Sequence, residues 1–227
     1  MSNKKILVLP GDGIGVEVMH EVLNIINWMA KNKSISFDIS ERLVGGTAYD
    51  EEGDSISDNT MDEALNADAV LFGAVGGSKW DNVERAKRPE AALLRLRKEL
   101  DLFANLRPAV VFNALANSSS LKIDVVKGLD ILILRELTSG VYFGQPRGVE
   151  KISENEEKAI DTQSYTTSEV TRIGKVAFDL AKKRDNKVTS VEKSNVMETG
   201  MFWRNIITEL HKKEFSDVKL EHMLADN

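Results

Sequence analysis

Apolar positions along the chain fall into two rhythms. In the first, unbroken apolar runs are each closed by proline or glycine. Ile6-Leu7-Val8-Leu9 ends at Pro10 and a glycine-rich turn, and Ala69-Val70-Leu71-Phe72-Gly73 ends at Gly76-Gly77. Such runs predict strands covered on both faces. In the second, Val18, Val22, Ile25, Ile26 and Met29 share one side of a helix of about 3.6 residues per turn. A second strand is expected over 36–44, closing at Gly45-Gly46, and a short helix over 60–66. Strand, helix, strand, helix, strand predicts an α/β layer built on a parallel sheet. A helix over 89–102 continues it, and further strands are expected near 110–112 and 129–134.

Residues 141–165 break this rhythm. They are polar and lie among Gly140, Gly144 and Gly148, which predicts an extended arm or hairpin. Thr166 and Glu169 then read as a capping box, opening an amphipathic helix that carries Val170, Ile173, Val176, Ala177 and Leu180. A strand over 188–191, a helix over 195–212 and an apolar approach to Asp226 follow. That approach has no closing element, so the sequence reads as interrupted.

Composition narrows the function classes. With 227 residues and 42% hydrophobic content, the chain fits one large domain or two smaller ones. A net charge of −6 and the lack of any long basic run argue against a general nucleic-acid role. Zero cysteines exclude disulfides, thiolate catalysis and cysteine zinc sites. His20, His211 and His222 are scattered, so a histidine metal site is not expected. No signal-peptide pattern is found, and no apolar window approaches the roughly eighteen residues of a membrane span. The expectation is a soluble cytoplasmic protein.

Five constellations could carry chemistry. Gly11-Asp12-Gly13-Ile14-Gly15 sits between strand and helix, where backbone amides can approach an anion or cofactor. Its third glycine comes one residue too early for the dinucleotide fingerprint, and a plain tight turn is the competing reading. On the helix from Pro89, Glu90, Leu93, Leu94 and Arg97 fall within an arc of roughly 100°. With Arg107 after the helix, this set suits a ligand bearing carboxylates and a hydrocarbon branch; the alternative is an ordinary surface helix. Arg135 precedes a turn to Tyr142, a possible proton donor, or else a core tyrosine beside a surface arginine. Lys193, with Asn195 two residues on, lies at a strand-to-helix junction and is a candidate base. Asp226 is a single carboxylate, and a magnesium or manganese site wants several oxygen ligands.

Taken in order, these blocks resemble one family. Leu9-Pro10-Gly11-Asp12-Gly13-Ile14-Gly15, Gly76 to Asp81, Arg88-Pro89-Glu90, Asp101 to Pro108, Arg135 to Gly144, and Ser190 to Val196 look like the isocitrate/isopropylmalate dehydrogenase family of β-decarboxylating dehydrogenases, in its isopropylmalate branch. The resemblance implies the family's own two-domain α/β fold, not a Rossmann fold, lacking here its C-terminal part. Residues 1–102 would begin the cofactor-binding domain. Residues 103–227 would form the substrate and dimerisation domain, with the arm at about 141–165.

The resemblance also implies roles. Arg97, Arg107 and Arg135 would hold substrate carboxylates, and Tyr142 and Lys193 would be the catalytic acid–base pair. Leu93 and Leu94 would meet the isopropyl branch. Asn195 and Asp226 would complete the substrate site, and Asp226 would be one ligand of Mg²⁺ or Mn²⁺. Ile14, Gly76, Gly77 and Glu90 would border the NAD cofactor. Lys193, Asn195 and Asp226 would serve the partner's site in a homodimer, with no membrane or nucleic-acid partner.

The implied reaction is NAD-dependent oxidative decarboxylation of (2R,3S)-3-isopropylmalate to 4-methyl-2-oxopentanoate and CO₂, in leucine biosynthesis. The alternatives are a relative acting on tartrate, homoisocitrate or isocitrate, or an inactive dimerising fragment. Val16 stands where the family commonly has proline, a departure that only touches a helix start.

Overall fold

The structure is a computed structural model that describes residues 4–33 and 35–227. The chain divides into two compact units, Met1–Asp101 and Leu102–Asn227.

In the first unit, strands β1 (Lys4–Gly11), β2 (Phe37–Glu41) and β3 (Ala69–Ala74) form a parallel sheet in the order β2-β1-β3. Both faces of β1 are covered, which is why its apolar run is continuous. Ile6 and Val8 pack with Met19, Val22 and Leu23 of helix α1 (Ile14–Lys33). Leu7 and Leu9 face the other way. They meet Val44, Ile56, Met61 and Ala64, and also Ala92 and Leu96. Those partners lie on or near α2 (Gly46–Glu52), α3 (Asp58–Asn66) and α4 (Pro89–Glu99).

Several boundaries differ from expectation. Strand β2 is shorter than 36–44, because the chain leaves the sheet to bury Val44. Helix α2 was not foreseen: it is short and polar and buries only Gly46 and Ala48. On α1 the buried stripe runs Gly15, Met19, Ile26, whereas Val18 and Ile25 are exposed. Helix α4 stops at Glu99, three residues early, since Asp101 takes a left-handed backbone (φ 48°), a conformation that aspartate tolerates better than most residues.

In the second unit, β4 (Ala104–Val110) pairs antiparallel with β5 (Asp130–Glu136). The expected strand near 110–112 thus lies earlier in the chain. Pro108 sits inside it, which an edge strand permits. A short helix α5 (Ile123–Val126) lies between the two strands. Strands β6 (Gly148–Ser153) and β7 (Glu156–Ile160) form the expected hairpin. Helix α6 (Thr167–Ala181) begins with a complete capping box between Thr166 and Glu169. Strand β8 (Lys187–Glu192) pairs parallel with β9 (Lys219–Leu224), joined by α7 (Glu198–Glu214). Helix α7 starts three residues later than expected, leaving Asn195 in the preceding loop.

The core of this unit is Val170, Phe178, Ala181, Ile207, Leu210, Phe215 and Val218. Phe178 is fully buried and stacks on Phe215 with ring centroids 4.9 Å apart. Phe178→Ala is expected to cost about 3–5 kcal/mol, from lost transfer energy and the cavity left behind. A fall of that size in the urea-unfolding free energy of the second unit checks it.

Candidate active site

Of the first unit's candidates, Ile14, Gly76 and Gly77 lie just past the ends of the parallel strands, and Glu90 reaches Gly76. Gly15 opens α1 so close to the sheet that a Cβ there would collide with the Pro10 carbonyl and lie 2.6 Å from the Ala74 nitrogen. Ile14 sits one residue earlier and is 62% exposed. A Cβ added to Gly76 would lie 2.9 Å from Glu90 Oε1, so the Glu90 carboxylate faces that backbone. Gly77 follows in the same loop. On α4, Ala92 and Leu96 turn into the core, while Leu93, Leu94 and Arg97 are half-buried and Glu90 is exposed.

Asp12 was read only as part of a turn, and the structure gives it a specific job. The turn's anion is supplied by the chain itself. Asp12 is 3% exposed, and its carboxylate accepts hydrogen bonds from the amides of Gly46 (2.8 Å), Thr47 (2.8 Å) and Gly76 (2.9 Å) and from Thr47 Oγ1 (2.9 Å). One side chain therefore ties together the loops that follow β1, β2 and β3. The only sequence signal was an acidic residue between two glycines. Asp12→Ala leaves these donors without their acceptor and should destabilise the first unit by about 2–4 kcal/mol. A lowered urea midpoint checks it.

In the second unit the ladder decides which residues meet. Asn105 lies opposite Arg135, and Arg107 opposite Ile133. Opposed residues share a face, so Arg107 and Arg135 occupy one face of β4–β5 as diagonal neighbours. The other face of β5 carries Leu132, Leu134 and Glu136, and Glu136 is met by Arg172 of α6. Tyr142 follows within a short turn, and the Arg135 guanidinium lies 5.4 Å from its ring centroid. Arg147 donates to the Tyr142 carbonyl and pairs with Asp161. Arg107, Arg135 and Tyr142 therefore form one grouping.

Lys193 and Asp226 form another. They follow the C-terminal ends of β8 and β9, which are paired at Glu192 and Leu224, and their side chains form an ion pair. Asn195 is exposed in the loop after Lys193. Beneath this pair Glu192 is buried, accepts from Arg204 at 3.0 Å, and has its Oε2 3.9 Å from His222 Nδ1. Sequence reasoning passed over Glu192, Arg204 and His222, because they are spread over two strands and a helix.

Asp226 by itself does not make a metal centre. Among the described residues no three His, Asp or Glu side chains gather as ion ligands, and magnesium needs several oxygen donors.

Against this geometry the comparisons are specific. A family model described as isocitrate/isopropylmalate dehydrogenase matches residues 5–227. The chain belongs to that family. The isocitrate/isopropylmalate dehydrogenase fold is also what the structure matches. The crystal structure of isocitrate dehydrogenase from Methylococcus capsulatus aligns with a TM-score of 0.78 at 26% identity, over 98% of this chain and 61% of that one. Relatives within the family include the 3-isopropylmalate dehydrogenases of Pelagibacter ubique, 58% identical, and Rhodopseudomonas palustris, 59% identical. Each match covers 100% of this chain but only 62% and 61% of the relative, so the chain spans about three fifths of their length.

Burial, and then the nearby Arg204 charge, hold His222 below its ordinary value of 6.5, although Glu192 opposes the shift. The unfolded chain therefore takes up that proton first. The stabilising contribution is present above about pH 6.5 and is lost as the pH falls below it. His222→Gln is expected to flatten the decline of unfolding free energy below that pH, measured by urea titration at a series of pH values.

Proposed function

We propose that these residues belong to an NAD-dependent 3-isopropylmalate dehydrogenase. It would oxidise and decarboxylate (2R,3S)-3-isopropylmalate to 4-methyl-2-oxopentanoate in cytoplasmic leucine biosynthesis. The observation that carries this is the grouping of Arg107 and Arg135 on one ladder face, with the Tyr142 ring against the Arg135 guanidinium. Two guanidinium groups suit a dicarboxylate, because each planar fork pairs with a carboxylate through two parallel hydrogen bonds. A phenol beside them can return a proton to carbon after CO₂ departs.

Arg97 would add a further carboxylate contact. Leu93 and Leu94 favour a branched alkyl group, since a third substrate carboxylate beside them would be desolvated without a partner. Lys193, as the neutral amine, would accept the hydroxyl proton during oxidation and become the ammonium ion, with Asp226 orienting its nitrogen. Asn195 would hold the substrate from the same loop.

Ile14, Gly76, Gly77 and Glu90 would border the nicotinamide end of a dinucleotide, where the Glu90 carboxylate facing the Gly76 backbone offers an acceptor. The bound cofactor supplies hydride acceptance, and the protein supplies its placement. The enzyme would require Mg²⁺ or Mn²⁺. Asp226 would give one ligand, and among the described residues no three His, Asp or Glu side chains gather around it to complete a set.

A homodimer is part of the proposal. The hairpin β6–β7 is exposed along nearly its whole length, with Val149 and Ile152 facing solvent. A two-stranded ribbon of this kind is marginal by itself, and a second copy would cover it.

The test uses a polypeptide extended to the length of the relatives, supplied with NAD and Mn²⁺. Turnover of 3-isopropylmalate should exceed that of isocitrate, homoisocitrate and tartrate, and a preference for isocitrate would refute the substrate assignment. Lys193→Ala should lower kcat by about 10²–10⁴-fold with an unchanged circular dichroism spectrum. The 227-residue chain by itself is expected to be inactive.

A further inference from the structure

The segment between Arg135 and Tyr142 is shaped by a carboxylate that the proposed reaction does not use. Glu136 ends β5 with its side chain 2% exposed. Its Oε2 accepts from the Ser139 amide (2.9 Å) and hydroxyl (2.6 Å), and its Oε1 accepts from the Thr138 hydroxyl (2.8 Å). The Thr138 amide is shared between both oxygens at 3.1 and 3.2 Å. Arg172 of α6 anchors the same turn. It donates to Thr138 Oγ1, lies 3.6 Å from Glu136 Oε1, and stacks 4.4 Å from the Phe103 ring centroid. On the far side, the Gly140 amide donates to the Ser164 carbonyl at 3.0 Å. Gly140 has φ +76°, and a Cβ there would lie 2.5 Å from the Tyr165 hydroxyl, so only glycine lets the chain pass.

Every donor that Thr138 and Ser139 offer, backbone and side chain, therefore points at one carboxylate. The chain reverses around it and emerges at Tyr142, above the Arg135 guanidinium. Without that acceptor the turn would hold several part-buried donors with no partner, and the loop would sample other paths.

We propose that Glu136 is a positioning residue. Its carboxylate, anchored by Arg172, folds residues 137–141 so that the Tyr142 ring is delivered over Arg135. It touches no substrate and acts through Tyr142. Its functional meaning rests on the reading of Tyr142 as the proton donor.

The test is nuclear magnetic resonance on the 227-residue chain, which reads geometry and not turnover. In the parent, the Tyr142 ring should displace the Arg135 δ-proton resonances. Glu136→Gln keeps the shape but turns an amide NH₂ toward the Thr138 and Ser139 donors. It should abolish that displacement and speed hydrogen exchange at the Ser139 amide at least about tenfold. Contacts across the Leu106–Leu134 rung should persist. A folded Glu136→Gln chain that keeps the displacement and the slow exchange overturns the proposal, even if its melting temperature falls, because that is a purely structural role. Should Glu136→Gln fail to fold, Ser139→Ala decides: it removes one hydroxyl donor to the same carboxylate. Partial loss of the displacement supports the proposal, and an unchanged spectrum overturns it. Failure of the dehydrogenase assignment would appear in the substrate panel and leave these spectra as they are.

Discussion

A carboxylate taken out of water must be met by donors, since burial removes its hydration and its charge finds little screening inside the protein. Both units are organised around that constraint. In the first, the Asp12 side chain collects amides from Gly46, Thr47 and Gly76. These lie far from it in sequence and belong to the loops at the C-terminal ends of the sheet. In the second, Glu136 collects the amides and hydroxyls of Thr138 and Ser139, its near neighbours. One carboxylate closes a long-range junction and the other folds a local turn. In each case candidate functional residues depend on the result: Gly76 and the facing Glu90 on Asp12, and Tyr142 on Glu136.

The same logic recurs beneath Lys193. Glu192 is buried against Arg204 and close to His222, and its backbone carbonyl accepts from the Ala225 amide at 2.9 Å. The parallel pairing of β8 and β9 brings Lys193 and Asp226 side by side although 33 residues separate them. A parallel ladder needs a crossover helix between its strands, and α7 is that helix. Its Arg204 reaches back to the strand it follows, so connection and support come from one element.

Family membership and geometry meet in the β4–β5 ladder. Its register places Arg107 and Arg135 on one face, and leaves Glu136 on the other with α6. A slip of one residue would exchange the two faces. Arg135 and the buried Glu136 are consecutive in sequence, and the alternation of a strand is what separates their environments.

Much of this was legible in the sequence. The continuous apolar runs determined buried parallel strands, because only a sheet covered on both faces tolerates them. The Thr166–Glu169 capping box and the polar, glycine-marked hairpin were also legible, since each depends on residues close together in the chain. The motif blocks identified the family, and with it Arg107, Arg135, Tyr142, Lys193 and Asp226 as residues to watch. Tertiary structure decided what no local pattern encodes. It placed Pro108 inside an edge strand, turned Val18 and Ile25 away from the core, and ended α4 early at a left-handed Asp101. It also made Asp12 the acceptor for the loops that follow β2 and β3. The physical reason is the same throughout: propensity and periodicity are properties of neighbours in sequence, whereas register, burial and the pairing of buried charge are settled by groups that the sequence keeps far apart.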